Sequence, residues 1–209
     1  MNLFAEAGQF LTDPANWTGA SGIPQRMLEH VGYSLLTMVI ALVIAVPLGL
    51  WVGHSGRGGG VVVGLAGALR SLPTLGLLTL FTLLMGLGLM PPILALVLLA
   101  IPPILSGTYS GIAAVSPALV DAARAMGMTE SQTLFRVEVP VALPVILGGI
   151  RNAALQVLAT VTIVAYINLG GLGRYLIDGL AVRDYSRMLA SVVLVACLLY
   201  TSDAADEED

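Results

Sequence analysis

The 209-residue sequence contains no lysine, and all nine of its basic residues are arginine. Without lysine the chain cannot form a Gly-x-x-x-x-Gly-Lys phosphate loop, which argues against an ATP-hydrolysing subunit. Cys197 is the single cysteine, so an internal disulfide and a cluster of thiolate metal ligands are both excluded. His30 and His54 stand alone and are expected to bracket the first span as interfacial residues. Neither His-Glu-x-x-His nor Gly-x-Ser-x-Gly occurs. Nothing in the sequence therefore favours a membrane-embedded enzyme.

Charge is also scarce, since only 11% of residues are charged while 57% are hydrophobic and the mean hydropathy is +0.92. The fifty positions from Ser71 to Val120 carry no charged residue at all. A helix that crosses a bilayer needs about 20 apolar residues, so this run has room for two crossings. The composition predicts an all-α polytopic membrane bundle rather than a soluble core.

Turn signals separate about five transmembrane helices, which together form one membrane domain. Residues 1–30 are expected to form an extracytoplasmic interfacial segment, retained because it lacks a basic n-region and a small-residue cleavage site. Residues 31–196 then form the membrane domain. The predicted spans are 31–53, 61–89 with a break at 70–73, 93–112, 141–168, and a fifth that starts at 185–196.

Residues 116–140 between the third and fourth spans have the signals of a helical hairpin. Ser116 followed by Pro117 is typical of a helix start, and Gly127 suits the left-handed position just past a helix end. Thr129 with Gln132 three residues later fits a capping box that starts a second helix. Pro140 is expected to stop that helix. An ordinary solvated hairpin is the alternative, although it would not require two alanines beside a carboxylate and a turn glycine at this spacing.

The hairpin contains a spaced set of residues: Asp121, Ala122, Ala123, Gly127, Val137, Val139 and Pro140. This set resembles the EAA loop of ABC importer permeases, with intact spacing but Asp in place of the usual Glu and Val where Ile and Leu are commoner. In that family the loop is a cytoplasmic helix-turn-helix that docks on the ATP-hydrolysing subunit.

A resemblance along most of the chain narrows the branch to osmoprotectant permeases, the membrane subunits of importers for glycine betaine, choline and related quaternary ammonium solutes. It is carried by the segments 13–17, 22–24, 28–30, 68–77, 101–112, 143–152 and 170–179. The resemblance implies ABC ATPase subunits, a solute-binding protein or fused binding domain, a second permease copy or paralogue, and the lipid bilayer as partners. It implies no nucleic acid, and no cofactor in this chain, because ATP and Mg²⁺ belong to the partner ATPase. The solute within this class and a homo- or heterodimeric permease stay open.

Other polar and small residues are candidates for the transport pathway or an outer gate. Asn168, Thr160 and Thr162 either line this gate or bond across helices, and the Gly170-Gly171 pair permits a break in the fourth span. A simple channel is a rival function, but it would not need a loop shaped for an ATPase. Within transporters, a permease for methionine or another amino acid is the alternative.

The loop resemblance also orients the protein in the cytoplasmic membrane, with the N-terminus outside. The arginine count alone gives only five inside against four outside, which is too small a bias to decide.

The last thirteen residues, 197–209, carry five of the thirteen acidic residues. The first eleven of them resemble the translation of a transposon-end sequencing adapter, so we expect this segment to replace a native C-terminus that continues past Ala196. A genuine acidic tail is the alternative. Without the segment, eight acidic residues face nine arginines, and the net charge changes from −4 to +1.

Overall fold

The computed structural model describes residues 2–205 and, for side chains, residues 2–201. Three helical stretches in it are long and apolar enough to cross a membrane: Ile23–Ser55, Met90–Ala113 and Glu130–Ile167. Gly59–Arg70 and Thr74–Met85 add a fourth if the two together form one broken span. A shorter apolar helix, Tyr185–Thr201, occupies the place of the predicted fifth span. The prediction of an all-α membrane protein is confirmed. The described residues contain three to four helical stretches long enough to cross a membrane, compared with the predicted number of about five.

Ten α-helices follow one another along the described chain. They are α1 (Leu3–Thr12), α2 (Ile23–Ser55), α3 (Gly59–Arg70), α4 (Thr74–Met85), α5 (Met90–Ala113), α6 (Pro117–Ala125), α7 (Glu130–Thr133), α8 (Val139–Thr160), α9 (Gly173–Val182) and α10 (Tyr185–Ala205). Short 3₁₀ segments cover Pro14–Trp17 and Val161–Ile167, and a π-helical segment covers Leu134–Glu138.

Most predicted boundaries lie close to the observed ones. The expected break at 70–73 separates α3 from α4, because Pro73 cannot donate a backbone hydrogen bond. The first long helix begins at Ile23, earlier than the predicted residue 31. Pro24 fits in its first turn, because the backbone N–H that proline lacks would have no intrahelical acceptor there. Helix α10 runs to Ala205 and so contains the first nine residues of the segment 197–209. The rest of that segment lies outside the described residues.

Pro140 does not stop the second helix of the hairpin, and this prediction was wrong. Helix continues from Glu130 to Ile167 through a π-helical turn at Leu134–Glu138. At the end of this turn the Val139 N–H bonds to the Leu134 carbonyl, five residues back. Pro140 then follows as the second residue of α8, directly after the π-helical turn.

The helices divide into two compact units, and α2, α5 and α8 each contribute to both. Among the described residues the first unit comprises 2–37, 74–96 and 155–205. Ile23, Leu172, Tyr175, Leu194 and Val195 form a core cluster there. The Tyr175 hydroxyl donates to the Ser21 carbonyl at 2.6 Å, so this core is tied to the start of α2.

The second unit comprises 38–73 and 97–154. In it α5 and α8 approach so closely at Gly107 and Gly149 that a Cβ on Gly107 would lie 2.8 Å from the Gly149 Cα. A cluster of Ile112, Val115, Ala142 and Ile146 continues this contact toward residues 116–140. Helices that meet backbone on backbone leave little room to slide, so the hairpin is built on a tightly packed base.

Candidate functional site

The candidate site is the helical hairpin of residues 116–140, called the coupling hairpin below. Its first helix, α6, begins after Ser116 with Pro117 in the first turn, as predicted. The Ser116 side chain, however, makes no capping hydrogen bond. Proline alone therefore marks the start, since its fixed φ suits the first turn and its missing N–H would be unpaired there anyway.

The turn after α6 is a Schellman motif. The Gly127 N–H bonds to the Arg124 carbonyl at 2.9 Å, and the Met128 N–H bonds to the Ala123 carbonyl at 3.2 Å. Gly127 has φ +84°, the left-handed conformation that the motif requires and that the sequence predicts. Glycine at this position lets the chain reverse within three residues.

The second helix starts with the predicted capping box. The Thr129 hydroxyl accepts from the Gln132 N–H, and the Gln132 side-chain oxygen accepts from the Thr129 N–H at 2.9 Å. Both ends of the turn are thus closed by hydrogen bonds within a few residues of sequence. Local chemistry defines the path of the hairpin.

The motif residues divide into an exposed set and an anchored set. Asp121, Ala122, Gly127 and Pro140 are exposed. Ala123 is only 1% exposed. The first set is free to meet a partner, while the second fastens the hairpin to its own unit.

The two motif valines belong to the anchored set. Val137 and Val139 are half-buried, and Val139 packs on the cluster that contains Ile112 and Ile146. The aliphatic-x-aliphatic pattern before Pro140 therefore serves packing in this structure.

A network of charged side chains joins the hairpin to the end of α2. The His54 Nδ1 atom lies 2.7 Å from Glu138 Oε2, and its Nε2 atom lies 3.1 Å from Glu130 Oε2. The Arg124 guanidinium donates two hydrogen bonds to Glu130, at 2.9 and 3.0 Å, and lies 3.8 Å from Asp121. These bonds with Glu130, and the attraction of its charge, raise the pKa of Arg124 above its usual value. A cavity of about 190 Å³ lies beside the network.

The sequence did not point to His54, Glu130, Glu138 or Arg124 as site residues. His54 was expected to be an isolated interfacial residue, yet it is paired with two carboxylates. Its partners lie 76 and 84 positions further along the chain, so no local pattern could have found them.

The gate candidates lie in the first unit, and they do not form one group. The Thr160 and Thr162 hydroxyls donate to carbonyls within their own helical turns, those of Gln156 and Ala159. Asn168 has the left-handed φ of +67°, and its side-chain oxygen accepts from Arg174 at 2.5 Å. It lines a cavity of about 310 Å³ together with Thr79, Thr82, Leu83, Leu87, Tyr166 and Ile167.

Gly170 and Gly171 are held by a carboxylate from the start of α2. The Gly171 N–H donates to Glu29 Oε2 at 2.8 Å, and Arg26 pairs with the same oxygen at 2.9 Å. A Cβ on Gly170 would overlap the Glu29 carboxylate. His30, expected at an interface, is fully buried beside this loop, and its Nε2 bonds to the Leu158 carbonyl at 2.9 Å.

The fold and the hairpin together define a class: a polytopic helical membrane subunit with a charged helical hairpin between two of its apolar helices. Within the described residues no three His, Cys, Asp or Glu side chains gather as a group that could hold a metal ion. The chain belongs to the family of binding-protein-dependent transport system inner membrane components, whose model matches residues 45–206.

Curated relatives are similar along most of the chain. A choline transport system permease protein of Bacillus subtilis, OpuBB, is 32% identical over 89% of this chain and 86% of its own length. The glycine betaine/carnitine/choline transport system permease protein OpuCB of the same organism is 34% identical over 84% of this chain and 81% of its own. An osmoprotectant import permease protein of Salmonella typhimurium, OsmW, is 36% identical over 82% of this chain and 81% of its own.

Solved structures share the fold. The match to an inward-facing form of the MetNI methionine ABC transporter covers 94% of this chain and 96% of the matched chain, with a TM-score of 0.78 and 22% identity. An amino acid ABC transporter solved with histidines covers 88% of this chain and 89% of its own, with a TM-score of 0.68 and 20% identity. At these identities the likeness concerns the fold alone.

Proposed function

We propose that this chain is the permease subunit of an ATP-driven importer for quaternary ammonium osmoprotectants such as glycine betaine, choline and related betaines. The observation that carries the proposal is the similarity, over more than four-fifths of the chain, to permeases named for choline, carnitine and osmoprotectant transport. The methionine transporters are similar in fold at lower identity, which supports the architecture without favouring methionine as the solute.

The coupling hairpin is the part of the chain that the ATPase subunits would contact and move. Its exposed residues Asp121, Ala122 and Gly127 offer a polar surface with small side chains to a partner. Ala123 is buried and Val139 packs on the core cluster of the second unit. Because the hairpin is packed against its own unit in this way, a displacement of its exposed face would also move α8. ATP and Mg²⁺ are bound by the partner subunit, and this chain does no hydrolysis.

The remaining partners follow from the same proposal. Two permease copies, or this chain with a paralogue, form the pathway, and a separate or fused solute-binding domain delivers the solute. The hairpin faces the cytoplasm and the N-terminus lies outside. Asn168, Gly170 and Gly171 are proposed to belong to the outer end of the pathway, because the loop that contains them borders the cavity lined by Tyr166.

Solute selection is expected to lie mainly in the binding domain. A quaternary ammonium has no N–H to donate, so its selective capture relies on several aromatic rings around the cation. Aromatic residues make up 6% of this chain, and Tyr166 is the one aromatic side chain that lines the cavity beside Asn168. The permease then provides passage, and the binding domain provides affinity.

Reconstitution of the complete importer tests the proposal. Proteoliposomes that contain the permease, its ATPase subunit and its binding protein would be loaded with ATP and given labelled glycine betaine, choline, carnitine or methionine. We expect uptake of at least one quaternary ammonium solute, and no uptake when ATP is replaced by a non-hydrolysable analogue. Uptake of methionine alone would assign the chain to the alternative function.

A further inference from the structure

His54 joins the end of α2 to the coupling hairpin. It lies in the last turn of α2, with 18% of its side chain exposed. Its two ring nitrogens each face a carboxylate: Glu138, whose side chain is 5% exposed, at 2.7 Å, and Glu130, whose side chain is 62% exposed, at 3.1 Å. One side chain from outside the hairpin therefore contacts two of the hairpin's acids.

The two contacts of the ring differ in kind. The Nδ1 atom is within hydrogen-bond distance of Glu138 Oε2, and the Nε2 atom lies 3.1 Å from Glu130 Oε2. An ionised carboxylate only accepts hydrogen bonds, so a ring N–H is the donor in a bond with such a group. His54 therefore links one buried and one exposed acid of the hairpin to the end of α2.

We infer that His54 is a positioning residue for ATP-driven transport, which holds the coupling hairpin in the conformation that docks on the ATPase subunit. The inference rests on the proposed function of the hairpin. His54 need not touch the ATPase, since it acts through Glu130 and Glu138. Removal of its ring releases both carboxylates and loosens the hairpin.

The contacts beyond His54 extend its effect to the first helix of the hairpin. Glu130, in α7, also receives the two hydrogen bonds from Arg124, and Arg124 lies 3.8 Å from the motif residue Asp121 in the same helix α6. The chain of contacts therefore runs from α2 to the motif acid that is expected to meet the partner. Without His54, Glu138 would keep a buried charge with a weaker set of donors, which is costly in a site this enclosed.

The experiment measures binding of the purified permease in nanodiscs to its ATPase subunit. We expect His54→Gln to raise the dissociation constant about tenfold, the value of losing one hydrogen bond to a charged group. Arg57→Gln removes a positive charge three residues away on an exposed side chain and should bind as the wild type does.

A double variant separates positioning from folding. His54→Gln with Glu138→Gln replaces the contact by two neutral amides that can bond to each other, so binding should recover relative to His54→Gln. Equal dissociation constants for the wild type and His54→Gln, or no recovery in the double variant, would overturn the inference. Failure of the wild type to bind any ATPase subunit would instead contradict the proposed function itself.

Discussion

Replacement of Gly127 is the most direct test of the coupling hairpin. The residue has φ +84° and supplies one of the two hydrogen bonds of the Schellman turn, from its N–H to the Arg124 carbonyl. A Cβ at this position would meet no atom within 4 Å. The substitution therefore changes the backbone preference without creating a clash, which makes its effect unusually simple to interpret.

The magnitude follows from the cost of the left-handed conformation. An ordinary L-residue pays about 1–2 kcal/mol there, and a β-branched residue lies at the upper end or beyond. Roughly 2 kcal/mol shifts the equilibrium between hairpins that keep the turn and hairpins that lose it by about thirtyfold. Asparagine tolerates the conformation better, so the expected order of activity at Gly127 is Gly, then Asn, then Ala, then Val.

ATP-dependent solute uptake by reconstituted complexes is the assay, with the amount of assembled complex measured alongside. Gly148→Val is the matched control, because a Cβ at Gly148 also meets nothing within 4 Å and that residue lies inside α8 without a positive φ. We expect normal assembly for both variants and strongly reduced uptake for Gly127→Val only. Uptake at the wild-type level by a fully assembled Gly127→Val complex would refute the role given to the turn.

Two further expectations concern stability and orientation. Gly170→Ala should lower the thermal stability of the purified protein by about 1–3 kcal/mol, because the new methyl group overlaps the Glu29 carboxylate; Gly67→Ala, where a Cβ meets open space, should not, and equal melting temperatures would contradict the close contact. For orientation, after replacement of Cys197, a cysteine at the exposed position Ser131 should be shielded from impermeant thiol reagents in intact cells and one at Ala181 should be labelled. The reverse labelling pattern would place the coupling hairpin outside.

Much of the hairpin could be predicted from sequence because its determinants act within a few residues. Proline in the first turn, glycine at the left-handed position and the Thr129–Gln132 capping box each fix the backbone through contacts no more than five residues apart. The apolar spans and the break at 70–73 were predictable for a similar reason. Length and hydropathy decide whether a helix can cross a bilayer, and proline interrupts the hydrogen-bond ladder locally.

The tertiary structure decided what happens where distant segments meet. Pro140 was expected to end a helix, but the helix continues through a π-helical turn before it, and Val139 at the end of that turn packs against the core cluster of Ile112 and Ile146. The pairing of His54 with Glu138 and of Glu29 with Gly171 joins residues 84 and 142 positions apart. Sequence shows which of these side chains can ionise or bond. Only the fold brings them within 3 Å, because charge and hydrogen-bonding partners are selected by proximity in space.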